Sequence, residues 1–177
     1  MLLSVHELEL REVPFDVTFR PGSVDLADTK FRQVTAIVMS GVARLVQATG
    51  EIQVAGRISG TLEGDCDRCL ERAPLELDRE FSLSYRPTWR DADSPELQLD
   101  EEESQAGYYE GSGLQLAQVL TEQIMLWLPM HWICSAECKG ICPVCGINRN
   151  TDSCECRQEL DDGRWEALRG FRPSTRP

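Results

Sequence analysis

EIQVAGRISGTLEGDCDRCLERAPLELDREFSLSY, residues 51–85, is the stretch from which the fold is read. Ile52, Val54, Ile58 and Leu62 alternate with polar or small residues, the period-two signature of a half-buried strand. After Pro74 the pattern resumes with Leu75, Leu77, Phe81, Leu83 and Tyr85, one parity kept throughout. Between the two arms lies Cys66-Asp67-Arg68-Cys69. Two alternating arms around a short polar connection predict an antiparallel hairpin. Its tip would hold two thiolates close together and present them to another segment. Gly56, Gly60 and Gly64 recur at spacing four in the first arm, where glycines are read as bulges and sheet curvature.

Outward from the hairpin, Gly50 ends an upstream stretch, Val34 to Val46, that is rich in β-branched residues and interrupted at Ser40-Gly41. Pro21-Gly22 marks a turn. Residues 2–13 mix apolar and acidic positions and read as an edge strand in preference to a short helix. Downstream, Leu116, Leu120, Ile124 and Leu128 recur every four residues, with Ala117 and Trp127 beside them. The spacing predicts a helix over 113–128 with an apolar stripe for the sheet, stopped by Pro129. Trp127 and Trp132 read as core or rim packing. The expected fold is α+β: an antiparallel β-sheet core, one main packed helix and a C-terminal cysteine-rich zinc-binding segment. Residues 1–130 form the sheet-and-helix domain, and residues 131–177 the cysteine-rich segment with a basic tail.

The chain has eight cysteines, and six of them fall in CSAECKGICPVCGINRNTDSCEC, residues 134–156. Cys142-Pro143-Val144-Cys145-Gly146 reads as a zinc knuckle. Two intervening residues let both sulfurs reach one tetrahedral metal, Pro143 presets the turn, and Gly146 can take positive φ so that N–H groups point at sulfur. Cys154 and Cys156 can close that site. Cys134 and Cys138 then have no partner pair except Cys66 and Cys69. The reading is one zinc on Cys142, Cys145, Cys154 and Cys156 and a second on Cys66, Cys69, Cys134 and Cys138. A partition in which Cys134, Cys138, Cys142 and Cys145 share one metal stays open. His131 is a candidate spare ligand. Disulfides would want an exporting signal, which the charged start MLLSVHELELREV does not resemble. A redox Cys-x-x-Cys would want a βαβ setting, and none surrounds Cys66. Four thiolates could also hold an iron–sulfur cluster, and the knuckle with Pro143 and Gly146 favours zinc. Sites closed by four thiolates have no open coordination position, so the metals would be structural. The second zinc would tie the hairpin tip to the segment after the helix and lock the helix across the sheet.

Formal net charge is −12, from 30 acidic and 18 basic residues. Two zinc–tetrathiolate sites, each about −2, take this to roughly −16 by simple charge counting. Such a chain is poorly suited to coat nucleic acid, which draws on Lys and Arg, and better suited to a basic protein partner. Residues 91–110 hold eight acidic residues and no basic one, and read as a solvated loop whose end, Tyr108-Tyr109, packs onto the sheet. After Cys156 a short helix over 163–168 is expected. Arg164, Arg169, Arg172 and Arg176 form the clearest basic patch and the candidate contact for RNA phosphate. Arg68, Lys139, Arg149 and Arg157 lie beside the cysteines in sequence and read first as compensation for thiolate charge. No run approaches the ~18 apolar residues of a membrane span, and the expected location is the cytoplasm.

These pieces together resemble the YceD family of large ribosomal RNA subunit accumulation proteins. The resemblance rests on Gly60 ahead of Cys66-Asp67-Arg68-Cys69-Leu70 and on the helix end Gln123-Ile124-Met125-Leu126-Trp127-Leu128-Pro129. It rests most specifically on Cys134 and Cys138-Lys139-Gly140-Ile141-Cys142-Pro143-Val144-Cys145-Gly146, then Asn148 to Asn150 and Cys154-x-Cys156. Asp162-Gly163-Arg164-Trp165 resembles the family's ending, with Gly163 where proline is usual. The likeness runs from about residue 20 to residue 170. It implies a part in maturation or accumulation of 23S ribosomal RNA, and gives no catalytic residue to carry over.

The expected function is therefore that of a non-enzymatic assembly factor for the large ribosomal subunit, holding one or two zinc ions. It would bind pre-rRNA, an assembly intermediate or a basic ribosomal protein. No Ser–His–Asp set, phosphate loop or suitably spaced carboxylate pair is present, and two histidines leave little for acid–base work. The alternative is a thiol or zinc redox protein using Cys66 and Cys69, with Arg68 between them lowering a thiol pKa.

Overall fold

The long hairpin is the axis of the protein. The structure, a computed structural model, describes residues 1–88 and 106–157. In it β5 (Glu51–Asp65) and β6 (Arg72–Pro87) pair antiparallel without a break from Ile52↔Tyr85 to Asp65↔Arg72. Ile52, Val54, Ile58 and Leu62 are wholly buried on one face, and Leu77, Phe81 and Tyr85 continue that face on β6. The period-two pattern is thus the physical cause of the register, because a one-residue slip would turn every one of these side chains to water.

The other strands attach to β5 and β6. β4 (Ile37–Val46) pairs antiparallel with β5, and β2 (Val13–Phe19) pairs antiparallel with β4. β3 (Phe31–Gln33) takes the same side of β5 nearer the hairpin tip. The last strand of this sheet, β7 (Gly107–Tyr109), lies parallel to β6. Among the described residues the sheet order is β2-β4-β5-β6-β7 with β3 on β5, an α+β arrangement in which all pairs but one are antiparallel. β1 (Leu2–Ser4) and β8 (Gly113–Gln115) form a separate two-stranded ribbon. It delivers the chain to α2 (Leu116–Trp127), whose first N–H donates to the Met1 carbonyl at 3.1 Å. Leu116, Val119, Leu120 and Ile124 of α2 are fully buried in the core shared with the sheet. Burying each such side chain contributes about 1.5–3 kcal/mol. Pro129 follows the helix, and the Leu128 N–H closes its last turn on the Ile124 carbonyl. Trp127 and Trp132 pack against the core edge.

Four expectations need correction. Residues 2–13 are not one edge strand: β1 leads into α1 (Val5–Leu10), which buries only Leu8, and β2 begins at Val13. Leu3 and Leu8 both reach the core, and a short helical turn between them satisfies both. The main helix starts at Leu116 and not at Gly113, because residues 113–115 pair with the N-terminal strand. Ser40-Gly41 does not interrupt β4: Gly41 faces Gly56 across the ladder, where a Cβ on Gly41 would lie 2.2 Å from the Ala55 carbonyl oxygen. Nor do the spaced glycines of β5 mark bulges. The register is continuous through them, and cross-strand side chains occupy the space, Ile37 over Gly60 and the Phe31 ring over Gly64. The Tyr85 ring covers Gly107 in the same way. Tyr109 is buried and donates its hydroxyl to the Gly50 carbonyl at 2.7 Å, whereas Tyr108 is half exposed. The rest of the acidic stretch, residues 91–105, lies outside the described residues, as do the helix expected over 163–168 and Arg164, Arg169, Arg172 and Arg176. Among the described residues no helix is long and apolar enough to cross a membrane.

Candidate metal centres

The hairpin tip is a knuckle, and a second knuckle repeats its hydrogen bonds. In residues 66–71 the Leu70 N–H donates to the Cys66 carbonyl at 3.0 Å and the Cys66 N–H to the Glu71 carbonyl at 2.9 Å. In residues 142–147 the Gly146 N–H donates to the Cys142 carbonyl and the Cys142 N–H to the Ile147 carbonyl, both at 2.8 Å. Each turn aims its two sulfurs the same way. This follows from Cys-x-x-Cys spacing closed by a left-handed residue.

The structure brings all eight cysteines into two clusters. The sulfurs of Cys66, Cys69, Cys134 and Cys138 lie within 4.8 Å of one another, and so do those of Cys142, Cys145, Cys154 and Cys156. Either cluster could hold a metal ion. In the first, Cys66 and Cys138 sulfurs are 3.8 Å apart and Cys69 and Cys134 sulfurs 3.7 Å. A tetrahedron with 2.3 Å metal–sulfur bonds has edges of about 3.8 Å, so the donor set fits. The His131 side chain is almost fully exposed, 3.8 Å from the Asp67 carboxylate, and joins neither cluster.

The surroundings differ. The first cluster is interior: Cys66, Cys69 and Cys138 are buried with Ile133 against them. Burial opposes ionisation of Cys66, but N–H groups of Cys69, Cys134 and Arg68 aimed at its sulfur win and hold its thiol down at about 6. At Cys69 the Glu71 N–H lowers the pKa, yet burial and the sulfurs of Cys66, Cys138 and Cys134 push it up to about 12. In the second cluster the N–H groups of Cys145 and Val144 hold Cys142 at about 6, whereas Cys145, burial and Cys154 push Cys156 up to about 12. The cause of the split is shared. Four thiolates this close repel one another, so a cluster without a cation ionises some sulfurs at the expense of others, and a dication removes the conflict.

Asp67 fixes the first knuckle in the fold. Its carboxylate accepts from Lys30 Nζ at 2.5 Å and from the Trp132 N–H at 2.7 Å, and its own N–H donates to the Trp132 carbonyl at 2.8 Å. The loop before β3, the hairpin tip and the segment after α2 thus meet at one side chain. Asn150 joins the loop after the second knuckle to the first cluster: its Nδ2 donates to Cys138 Sγ at 3.4 Å, and within the loop its own N–H donates to Asn148 Oδ1 at 3.0 Å. No local pattern in the sequence marks these roles. The run Asn148-Arg149-Asn150-Thr151-Asp152 signals a turn, but nothing local to Asp67 points to Lys30, which is 37 residues away. Of the cationic residues beside the cysteines, Arg68 donates to the Cys138 carbonyl at 3.1 Å and so braces the cluster through the backbone.

The chain is similar to uncharacterized proteins of mycobacteria. It is 26% identical over 125 residues to one from Mycobacterium tuberculosis and to one from Mycobacterium bovis, covering 71% of this chain and 58% of each relative. A Mycobacterium leprae protein is 23% identical over 109 residues, 59% of this chain and 46% of its own. The chain thus spans less than two thirds of the length of the curated relatives it matches. No solved structure matches it. The family model for the large ribosomal RNA subunit accumulation protein YceD matches residues 54–172, from the first arm of the hairpin through both knuckles, and the chain therefore belongs to the YceD family.

Proposed function

We propose that the chain is a non-enzymatic ribosome biogenesis factor, needed for maturation and accumulation of 23S rRNA and for large-subunit assembly. It binds pre-rRNA, a basic large-subunit ribosomal protein, or both. The observation that carries this reading is the use of all eight cysteines in two closed four-sulfur clusters within a chain of this family. Four thiolates at tetrahedral spacing suit zinc, which would cross-link the hairpin tip to the segment after α2 and leave no open position for substrate. The sheet-and-helix body of residues 1–130 and the cysteine-rich segment of residues 131–177 are, in this reading, one binding unit. The net charge of −12 favours a basic protein as first contact, with Arg164, Arg169, Arg172 and Arg176 meeting RNA phosphate, in the cytoplasm.

A thiol redox role for Cys66 and Cys69 has one observation in its favour, the lowered Cys66 thiol. Against it, Cys66 is wholly buried and Cys69 nearly so, and a redox thiol must be reachable.

The test is depletion in the native host. Loss of the protein should lower 23S rRNA and free large subunits relative to small subunits on sucrose gradients. Complementation with an Arg164, Arg169, Arg172, Arg176→Ala chain separates RNA contact from protein contact. Unchanged subunit profiles on depletion would overturn the assignment.

A further inference from the structure

We propose that the two cysteine clusters load as a coupled pair, and that Asn150 is the positioning residue through which the C-terminal cluster sets the metal affinity of the central one. The proposal rests on the reading that both clusters hold a metal. Cys138 and Cys142, one ligand of each cluster, stand at the two ends of Cys138-Lys139-Gly140-Ile141-Cys142. That bridge is clamped onto the first knuckle: the Ile141 N–H donates to the Arg68 carbonyl at 2.8 Å, and Gly140 approaches so closely that a Cβ there would lie 2.9 Å from the same oxygen.

The return contact comes from the loop that the second cluster closes. Residues 146–153 run between Cys145 and Cys154, so a metal held by those two thiolates fixes both ends of the loop. From it the Arg149 N–H donates to the Gly140 carbonyl at 2.9 Å, and the Asn150 Oδ1 accepts from the Lys139 N–H at 2.8 Å. The same Asn150 amide then donates its Nδ2 to Cys138 Sγ, a ligand of the other cluster. Inside the loop, Asn148 is pinned by N–H groups of Asn150 and Asp152 at 3.0 Å. A donor to a ligating sulfur stabilises the thiolate form, and such outer partners typically alter metal affinity 10–100-fold. Loading the C-terminal cluster therefore orders the donor that the central cluster needs, and by linkage the effect runs both ways.

The test is a chelator-competition titration of zinc on the full chain and on Cys154→Ser, Asn150→Asp and Asn150→Ala, with cadmium NMR of each cluster. The central cluster of Cys154→Ser should lose roughly 10–100-fold in affinity. Asn150→Asp keeps the acceptor for the Lys139 N–H and removes the donor to sulfur, so it should lose affinity as Asn150→Ala does. It should also shift the cadmium resonance of the central cluster and leave the other in place. The two changes together should cost no more than either alone. A central cluster whose affinity is the same in Cys154→Ser as in the parent chain would overturn the coupling. Full affinity in Asn150→Asp would reduce Asn150 to a loop brace and overturn its role. A parent chain that takes up no metal would overturn the underlying reading of the clusters instead, so the two failures are distinguishable.

Discussion

Leu70 stands in the first knuckle at the backbone position that Gly146 fills in the second, and both are left-handed, with φ of 63° and 76°. The N–H of each closes the same bond to the first cysteine of its knuckle. A leucine in this region is strained, because its Cβ crowds the following carbonyl. Leu70 is 65% exposed, so little packing offsets the strain.

Leu70→Gly should therefore keep the fold and its metals and gain up to about 1 kcal/mol, the strain released less the added freedom of the unfolded chain. The mirror change, Gly146→Leu, should lose about 1–2 kcal/mol. Chemical denaturation at fixed metal concentration checks both. A large loss in Leu70→Gly would mean that the side chain and not the backbone turn holds the site.

Metal content per chain is the direct check on the clusters. Mass spectrometry of the purified protein should find two zinc ions, with Cys66→Ser and Cys145→Ser each lacking one. Because metal-binding free energy becomes folding free energy, both variants should unfold at clearly lower denaturant concentration. With metal retained, thiol reagents should find no fast-reacting cysteine. A reactive Cys66 in the metal-loaded chain would reinstate the redox reading, and iron in place of zinc would overturn the structural role given to the metals.

Tyr85 ties three elements together. Its ring covers Gly107 on β7, and its hydroxyl donates to the Glu122 carboxylate of α2 at 3.0 Å. Burial first, then the Glu122 charge, raises its pKa above the usual tyrosine range. A group that titrates higher when folded contributes stability that is complete below its unfolded pKa, near 10, and lost as pH rises beyond it. Tyr85→Phe should cost about 1–3 kcal/mol at neutral pH, a hydrogen bond to a charged group. The gap between variant and parent should narrow above about pH 10. A constant gap from pH 7 to 11 would show that the hydroxyl proton is not what is stabilised.

The inward glycines should differ in cost by what they face. A Cβ on Gly56 would lie 2.2 Å from the Ser40 carbonyl oxygen, backbone that cannot rotate away. On Gly64 it would lie 2.4 Å from the Phe31 ring, which can move toward the edge. Gly64→Ala should cost about 1–3 kcal/mol by overpacking, and Gly56→Ala should cost more and alter the sheet. Thermal melts with far-ultraviolet circular dichroism would rank them, and equal melting temperatures would contradict the difference.

Much of this protein was legible because its signals are local. The parity of Ile52, Val54, Ile58 and Leu62 set a strand and its buried face, since only one alternation hides all four from water. The four-residue spacing from Leu116 to Leu128 set the main helix, and Cys-x-x-Cys spacing set both knuckles. The short N-terminal helix, the ribbon that delays the start of α2 and the Gly41–Gly56 contact were not legible, for each depends on what lies across from it. The same division runs through the site. The chemistry of the thiolates was written in the chain. Spacing alone allowed Cys134 and Cys138 to share a metal with Cys142 and Cys145. Only the folded hairpin, by carrying Cys66 and Cys69 to the end of α2, put the first four sulfurs in one place. Asp67 with Lys30, and Asn150 with Cys138, belong to that second class, because a hydrogen bond between distant segments exists only after the backbone has closed the distance.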